Sequence, residues 1–175
     1  MKIEEVTAHT LNLVNKIDST FTVDSILRLK LSDNKYSYEI ENVTPYEKKY
    51  GYENIDYSAF IDNKDKIVFF VFIDKELAGQ VILIKHWSNY ASIEDIRVER
   101  KFRGKGIGSK LIQKSIEWAK SINSIGIVVE TQNVNVKACL FYRKNGFVLG
   151  GADMYIYKAS ELEKNEILLN WYLLF

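Results

Sequence analysis

The sequence predicts a mixed α/β (α+β) fold in a single domain, and three observations predict it. Residues 25–43 hold two alternating runs and residues 66–85 two continuous β-rich runs, each pair separated by turn residues, as antiparallel hairpins are. From residue 91 onward, strand-like and helix-like segments alternate. The stretch 93–108 joins the two regimes: it opens as a half-buried strand and closes with Gly104, Gly106 and Gly108.

Taken in order, residues 1–20 have weak helical character around 11–17. Residues 25–31 and 36–43 alternate on either side of the turn 32–35 and read as a hairpin. Thr44-Pro45 then opens a short helical segment, 46–50. The stretch 51–62 is tyrosine-rich and acidic (Tyr52, Glu53, Asp56, Tyr57) without clean periodicity, and reads as a surface loop or a loop that binds a cationic ligand. Residues 66–73 and 81–85 form a second hairpin, with 74–80 between them and Gly79 in the turn. Strand 91–98 runs into the glycine turn.

Helix 109–120 presents Leu111, Ile112, Ser115 and Ala119 on one face. A β-branched strand at 125–130 follows, then helix 135–144, stopped by Asn145-Gly146. Residues 147–148, 154–157 and 167–175 read as strands.

Composition bounds the function classes. An apolar share of 47% and a charged share of 27% are those of a globular chain. Cys139 is the only cysteine, so no intrachain disulfide forms, and a reducing, cytoplasmic setting is expected. No apolar signal core and no membrane-spanning run is present. Residues 1–100 hold 13 Lys+Arg against 17 Asp+Glu, whereas residues 101–175 hold 11 against 6. A polyanionic ligand suits the second half and a cation the first.

Glycines at the mouth of a helix leave several N–H groups uncovered, and the helix dipole adds partial positive charge there. With Arg103 and Lys105 among them, the loop suits a phosphate, above all a pyrophosphate. The six-residue dinucleotide fingerprint and the Lys-Ser/Thr pair of a triphosphate loop are both missing. A plain strand-to-helix turn bearing solubilising charges is the competing reading. No metal-ligand cluster or Ser-His-Asp arrangement occurs, and Cys139 reads as buried packing rather than a nucleophile.

Two segments carry a resemblance. Arg103-Gly104-Lys105-Gly106-Ile107-Gly108 resembles the acyl-CoA pyrophosphate loop of the GNAT (Gcn5-related) N-acetyltransferases. The run Asn135 to Phe147, with Ala138, Phe141, Tyr142 and Gly146, resembles that superfamily's second segment, in the correct order and spacing. From about residue 57 onward, 93–96, 115–120, 130–132 and 171–175 resemble the streptothricin acetyltransferases.

The resemblance implies a mostly antiparallel sheet of six to seven strands flanked by helices. It also implies a V-shaped split between strands 93–98 and 125–130, and an acetyl-CoA-binding core over about 61–150. The pantetheine arm would pair with backbone near Ile96, Arg97 and Val98. The pyrophosphate would rest on Gly104, Gly106 and Gly108 with Arg103, Lys105, Ile107 and Ser109. Asn135 and Lys137 fall on the cofactor side, and Tyr142 would hydrogen-bond the CoA sulfur as proton donor.

Alternation places Glu94 beside Ile96 and Val98, where it could accept the amine proton. Asp95 and Glu130 compete for that role. Asp56, Tyr57, Asp95, Glu130 and Asp153 are the candidates for holding a cationic amine, such as the β-lysine of streptothricin. The alternatives are another small amine, a protein N-terminus, or a silent acyl-CoA sensor. Acetyl-CoA is the expected co-substrate, with no metal, nucleic acid or membrane partner, in a monomer or homodimer.

Overall fold

The computed structural model describes residues 1–51 and 55–175, so Tyr52 and Glu53 of the tyrosine-rich loop lie outside the described residues. Among the described residues nine strands and two α-helices follow one another: β1 (Lys2–Glu5), β2 (Phe21–Ser32), β3 (Lys35–Lys48), β4 (Lys66–Ile73), β5 (Glu76–Lys85), β6 (Ala91–Val98), α1 (Ile107–Ser121), β7 (Gly126–Gln132), α2 (Val136–Lys144), β8 (Val148–Asp153) and β9 (Leu168–Leu174). Seven strands form a sheet in the order β1-β4-β5-β6-β7-β9-β8, and β2 pairs with β3. The pairings β1/β4, β4/β5, β5/β6 and β8/β9 are antiparallel, giving the mixed, mostly antiparallel architecture expected.

The chain divides into two compact units, Met1–Ser19 with Tyr50–Ile127 and Phe175, and Thr20–Lys49 with Val128–Leu174. In the first, Val68, Phe70 and Ile82 pack with Val6 and Phe60 in one apolar cluster. Each such side chain contributes roughly 1.5–3 kcal/mol on burial. Helix α1 buries Ile107, Leu111, Ile112, Ser115, Trp118 and Ala119, which includes the face read from spacing. The β4/β5 turn is only Asp74-Lys75, at φ 49° and 69°, so the hairpin needs no glycine there. Gly79 instead lies within β5. A Cβ on it would sit 3.1 Å from the Arg97 carbonyl oxygen, Ile107 Cγ2 and Leu111 Cδ1, so its bareness is what lets α1 approach β5.

In the second unit the β2/β3 hairpin turns at Asp33-Asn34, at φ 49° and 59°. It is longer than its alternation indicated. The helical segment expected at 46–50 is not formed: β3 continues to Lys48, with Phe21 opposite Lys48 and Val23 opposite Tyr46 after a register shift. Pro45 is tolerated because it falls in that register shift, between the paired residues Asn42 and Tyr46, where the regular ladder is interrupted. The strand expected at 154–157 is likewise absent; β8 ends at Asp153, whose Oδ1 accepts the N–H groups of Tyr155 and Ile156 and turns the chain. The edge strand β1, without alternation of its own, has no counterpart in the sequence reading.

Buried Asn133 ties this unit together. It exchanges backbone and side-chain bonds with Leu27 and Ile167, at 2.9–3.3 Å. The buried Trp171 indole donates to Thr131 Oγ1 at 3.0 Å. No helix among the described residues is long and apolar enough to cross a membrane.

Candidate active site

The glycine loop has the form its sequence predicts. β6 leads through a 3-10 turn at Arg100–Phe102 into Gly104 and Gly106, at φ 76° and 79°. A Cβ at either would meet nothing within 4 Å, so glycine is required by the left-handed backbone rather than by space. Gly106 stands just before α1, and the helical ladder begins with Lys110 N–H donating to the Gly106 carbonyl at 3.1 Å. The N–H groups of Ile107, Gly108 and Ser109 therefore have no helical carbonyl behind them. Buried Ile107 anchors the helix start, while Arg103, Lys105 and Ser109 are exposed. Arg103 Nε donates to the Val98 carbonyl at 2.9 Å. Lys105 Nζ stands 5.3 Å from the centre of the Phe102 ring. Open glycines, uncovered amides and two exposed cations fit a pyrophosphate-bearing cofactor.

The strand before the loop differs from its alternation. Ile82 pairs with Asp95 and Leu83 with Ile93, so Glu94 is the extra residue of a β-bulge. Across the bulge it is Ile93 that shares a face with Ile96 and Val98. Glu94 itself is exposed. Strict alternation would set Glu94 beside Ile96 and Val98; the bulge shifts the period by one residue, and that placement does not hold.

Asp95 and Arg97 face the other side of β6 and are engaged with each other: Arg97 Nε donates to Asp95 Oδ1 at 2.7 Å. Arg97 Nη1 also donates to the Ile17 carbonyl at 3.2 Å. Burial pushes the Asp95 carboxyl above the usual carboxylate range, against the opposing pull of Arg97 and a hydrogen bond from Gln80. Gln80, fully buried on β5, donates to Asp95 Oδ2 at 2.5 Å and bonds Asn15 in both directions. Asn15 Nδ2 in turn donates to the Tyr57 hydroxyl at 3.1 Å. One polar network thus gathers Tyr57, Asp95 and Arg97. Asp56 is not part of it. Its carboxylate accepts from Ser58 N–H at 2.9 Å as the cap of the 3-10 turn Tyr57–Phe60, and hydrogen bonds from Ser58 lower its pKa.

In the second unit Asn135 caps α2, its Oδ1 accepting from Ala138 N–H at 3.2 Å. Lys137 is exposed and pairs with Asp24 at 3.0 Å. Tyr142, 4% exposed, lies edge-on to Phe141 and Phe147 with ring centres 5.3 Å away. Glu130 is exposed on β7. Asp153 is occupied with the turn after β8. Cys139 is fully buried, and desolvation pushes its thiol up to about 11, which holds it protonated. It is packing, as its sequence context indicated.

Asn15 and Gln80 are the site-region residues the sequence reading missed. A glutamine inside the apolar strand run Gln80-Val-Ile-Leu-Ile was the available signal, since a buried amide demands partners.

A seven-stranded mixed sheet whose β6 feeds a glycine-rich turn at the mouth of α1 defines a class of acyl-CoA-dependent transferases. The acetyltransferase (GNAT) family profile matches residues 28–147, and the chain belongs to that family. It is an acetyl-CoA-dependent N-acetyltransferase. Over 170 residues it is 38% identical to the streptothricin acetyltransferase of Escherichia coli, covering 97% of this chain and 92% of that one. Over 159 residues it is 33% identical to streptothricin acetyltransferase A of Bacillus subtilis strain 168, covering 90% and 91%. Its structure is similar, at a TM-score of 0.92 and 39% identity over 99% of both chains, to a Bacillus anthracis str. Ames protein assigned as a streptothricin acetyltransferase and solved with acetyl coenzyme A.

Proposed function

We propose that this chain acetylates streptothricin at its β-lysine amine and so confers resistance to that antibiotic. The likeness to streptothricin acetyltransferases over nine-tenths or more of both chains carries this reading. Acetyl-CoA supplies the acetyl group and departs as its thiol. The amine nitrogen forms the new C–N bond as the C–S bond breaks, so the nitrogen must lose a proton and the sulfur must gain one.

Tyr142 is the proposed donor at the sulfur. Its buried, edge-packed ring supports that role, because it fixes the hydroxyl's position on α2. Glu94, exposed at the bulge of β6, is the proposed acceptor of the amine proton. The uncovered amides at Ile107, Gly108 and Ser109, with Arg103 and Lys105, are proposed to hold the pyrophosphate. Buried Cys139 supports direct transfer rather than an acyl-enzyme.

The test is thiol release from acetyl-CoA by the purified protein, with streptothricin, spermidine, kanamycin and a lysine-containing peptide in parallel. Release with streptothricin alone is expected. Release only with another amine overturns the substrate, and acetyl-CoA binding without release overturns the activity.

A further inference from the structure

The network behind β6 has a direction, and the direction ends at Tyr57. The Asn15 backbone N–H can only donate, and it points at Gln80 Oε1 at 3.0 Å. That contact orients the Gln80 amide whatever the charge of Asp95. Its Nε2 therefore faces away from that N–H and donates twice, to Asp95 Oδ2 and, at 3.1 Å, to Asn15 Oδ1. With Oδ1 of Asn15 occupied as an acceptor, its Nδ2 is the group that meets the Tyr57 hydroxyl at 3.1 Å. The Tyr57 oxygen is thus an acceptor here, and its own O–H proton has no partner among the described residues. The phenol ring is held 5.2 Å from Phe60, and Asn15 is held in the left-handed region at φ 62°, a conformation asparagine tolerates. Tyr57 is half-buried rather than enclosed.

We propose that Tyr57 is a specificity-determining residue whose hydroxyl is pre-oriented by Asn15 and Gln80 to donate a hydrogen bond to an uncharged oxygen of the acceptor substrate, a carbonyl or a hydroxyl. This rests on the proposed acetylation of streptothricin. The partner is an oxygen rather than the reacting amine. A donor on that nitrogen would occupy the lone pair that must attack, and an ammonium offers no lone pair to accept. The acetyl carbonyl shares the same chemistry, and the choice of kinetic constant separates the two sources.

Steady-state kinetics on the purified full-length protein test this with Tyr57→Phe, which removes only the hydroxyl, and Asn15→Asp. The aspartate keeps an acceptor for Gln80 but presents a second acceptor to Tyr57, turning the phenol proton inward. Each variant is expected to raise KM for streptothricin about 3- to 10-fold, the size of one hydrogen bond. KM for acetyl-CoA and kcat should stay in place, and the double variant should be no worse than either single one. A structural defect would instead move all three constants and add. Should Asn15→Asp fail to fold, Tyr57→Phe alone decides. An unchanged streptothricin KM in Tyr57→Phe overturns the proposal, and so does a change confined to acetyl-CoA KM or kcat. If the wild-type protein leaves streptothricin unmodified, the substrate reading falls and takes this assignment with it. Turnover by wild type that Tyr57→Phe matches removes this assignment alone.

Discussion

Arg97 Nε donates to Asp95 Oδ1 at 2.7 Å, with the two side chains only 11% and 19% exposed on one face of β6. At that burial the pair is sensitive to losing one member, because the survivor is left charged in a poor solvent. Arg97→Met is expected to lower unfolding stability by about 3–5 kcal/mol at pH 7. The sign of its pH dependence follows from burial. The Asp95 pKa already lies above its ordinary value in the folded chain, and removing Arg97 raises it further. A carboxyl with a raised folded pKa keeps its share of stability below its unfolded pKa and loses it as pH rises through the folded one. Urea unfolding should therefore show the deficit of Arg97→Met shrinking as pH falls into the ordinary carboxylate range. A deficit that is flat or grows with acidity would show that Asp95 is not the group left uncompensated.

Gly79→Ala tests the seat of α1. The added methyl would lie 3.1 Å from a backbone oxygen and from two buried side chains, and the backbone oxygen cannot swing away. A loss of about 1–3 kcal/mol in thermal or urea unfolding is expected. Because Ile107 is both a contact of that methyl and the first residue of α1, KM for acetyl-CoA should rise as well.

Arg103→Ala and Lys105→Ala address the proposed pyrophosphate loop through its exposed side chains. Both side chains are exposed, so stability should change by less than about 0.5 kcal/mol. KM for acetyl-CoA should rise, and the rise should shrink at high salt, where exposed charges are already screened. Salt titration of KM in wild type and variants makes the comparison.

The glycine loop and α2 were legible because their chemistry is local: left-handed glycines before a helix, and Asn135 and Gly146 at the two ends of the next. The first hairpin was legible from alternation and the second from its continuous β-rich runs, but the length of the first was not, since Pro45 stays in a strand by falling in a register shift between β2 and β3. Asp74-Lys75 adopts a turn that its residue types do not advertise, which displaced Gly79 from strand to turn in the reading. Glu94 shows the deeper limit. A bulge is a property of the register between β5 and β6, and no period within β6 alone reveals it. The Asn15–Gln80 contacts join positions 65 residues apart and were invisible for the same reason.

Cys139 is predicted to be inert in the native protein. Its thiol is fully buried and pushed from 9.0 up to about 11, chiefly by desolvation. Native protein should react with a thiol reagent at pH 8 far more slowly than unfolded protein, and Cys139→Ala should retain kcat. The linkage runs in the same direction as for a raised carboxyl. The stability tied to this group is intact below about 9 and falls as pH climbs toward about 11, and Cys139→Ala should lack that component of the alkaline decline.

Tyr142 joins packing and chemistry in one side chain, and two substitutions separate them. Tyr142→Phe preserves the edge contacts with Phe141 and Phe147, so stability should stay near wild type. If the hydroxyl delivers the proton that the departing sulfur needs, kcat should fall roughly 10²-fold while KM for acetyl-CoA changes little. Tyr142→Ala would also empty a site that is 4% exposed, which costs about 3–5 kcal/mol in unfolding. A Tyr142→Phe variant with unchanged kcat, measured where chemistry rather than product release limits the rate, would reduce Tyr142 to a core aromatic and leave the thiolate to take its proton from solvent.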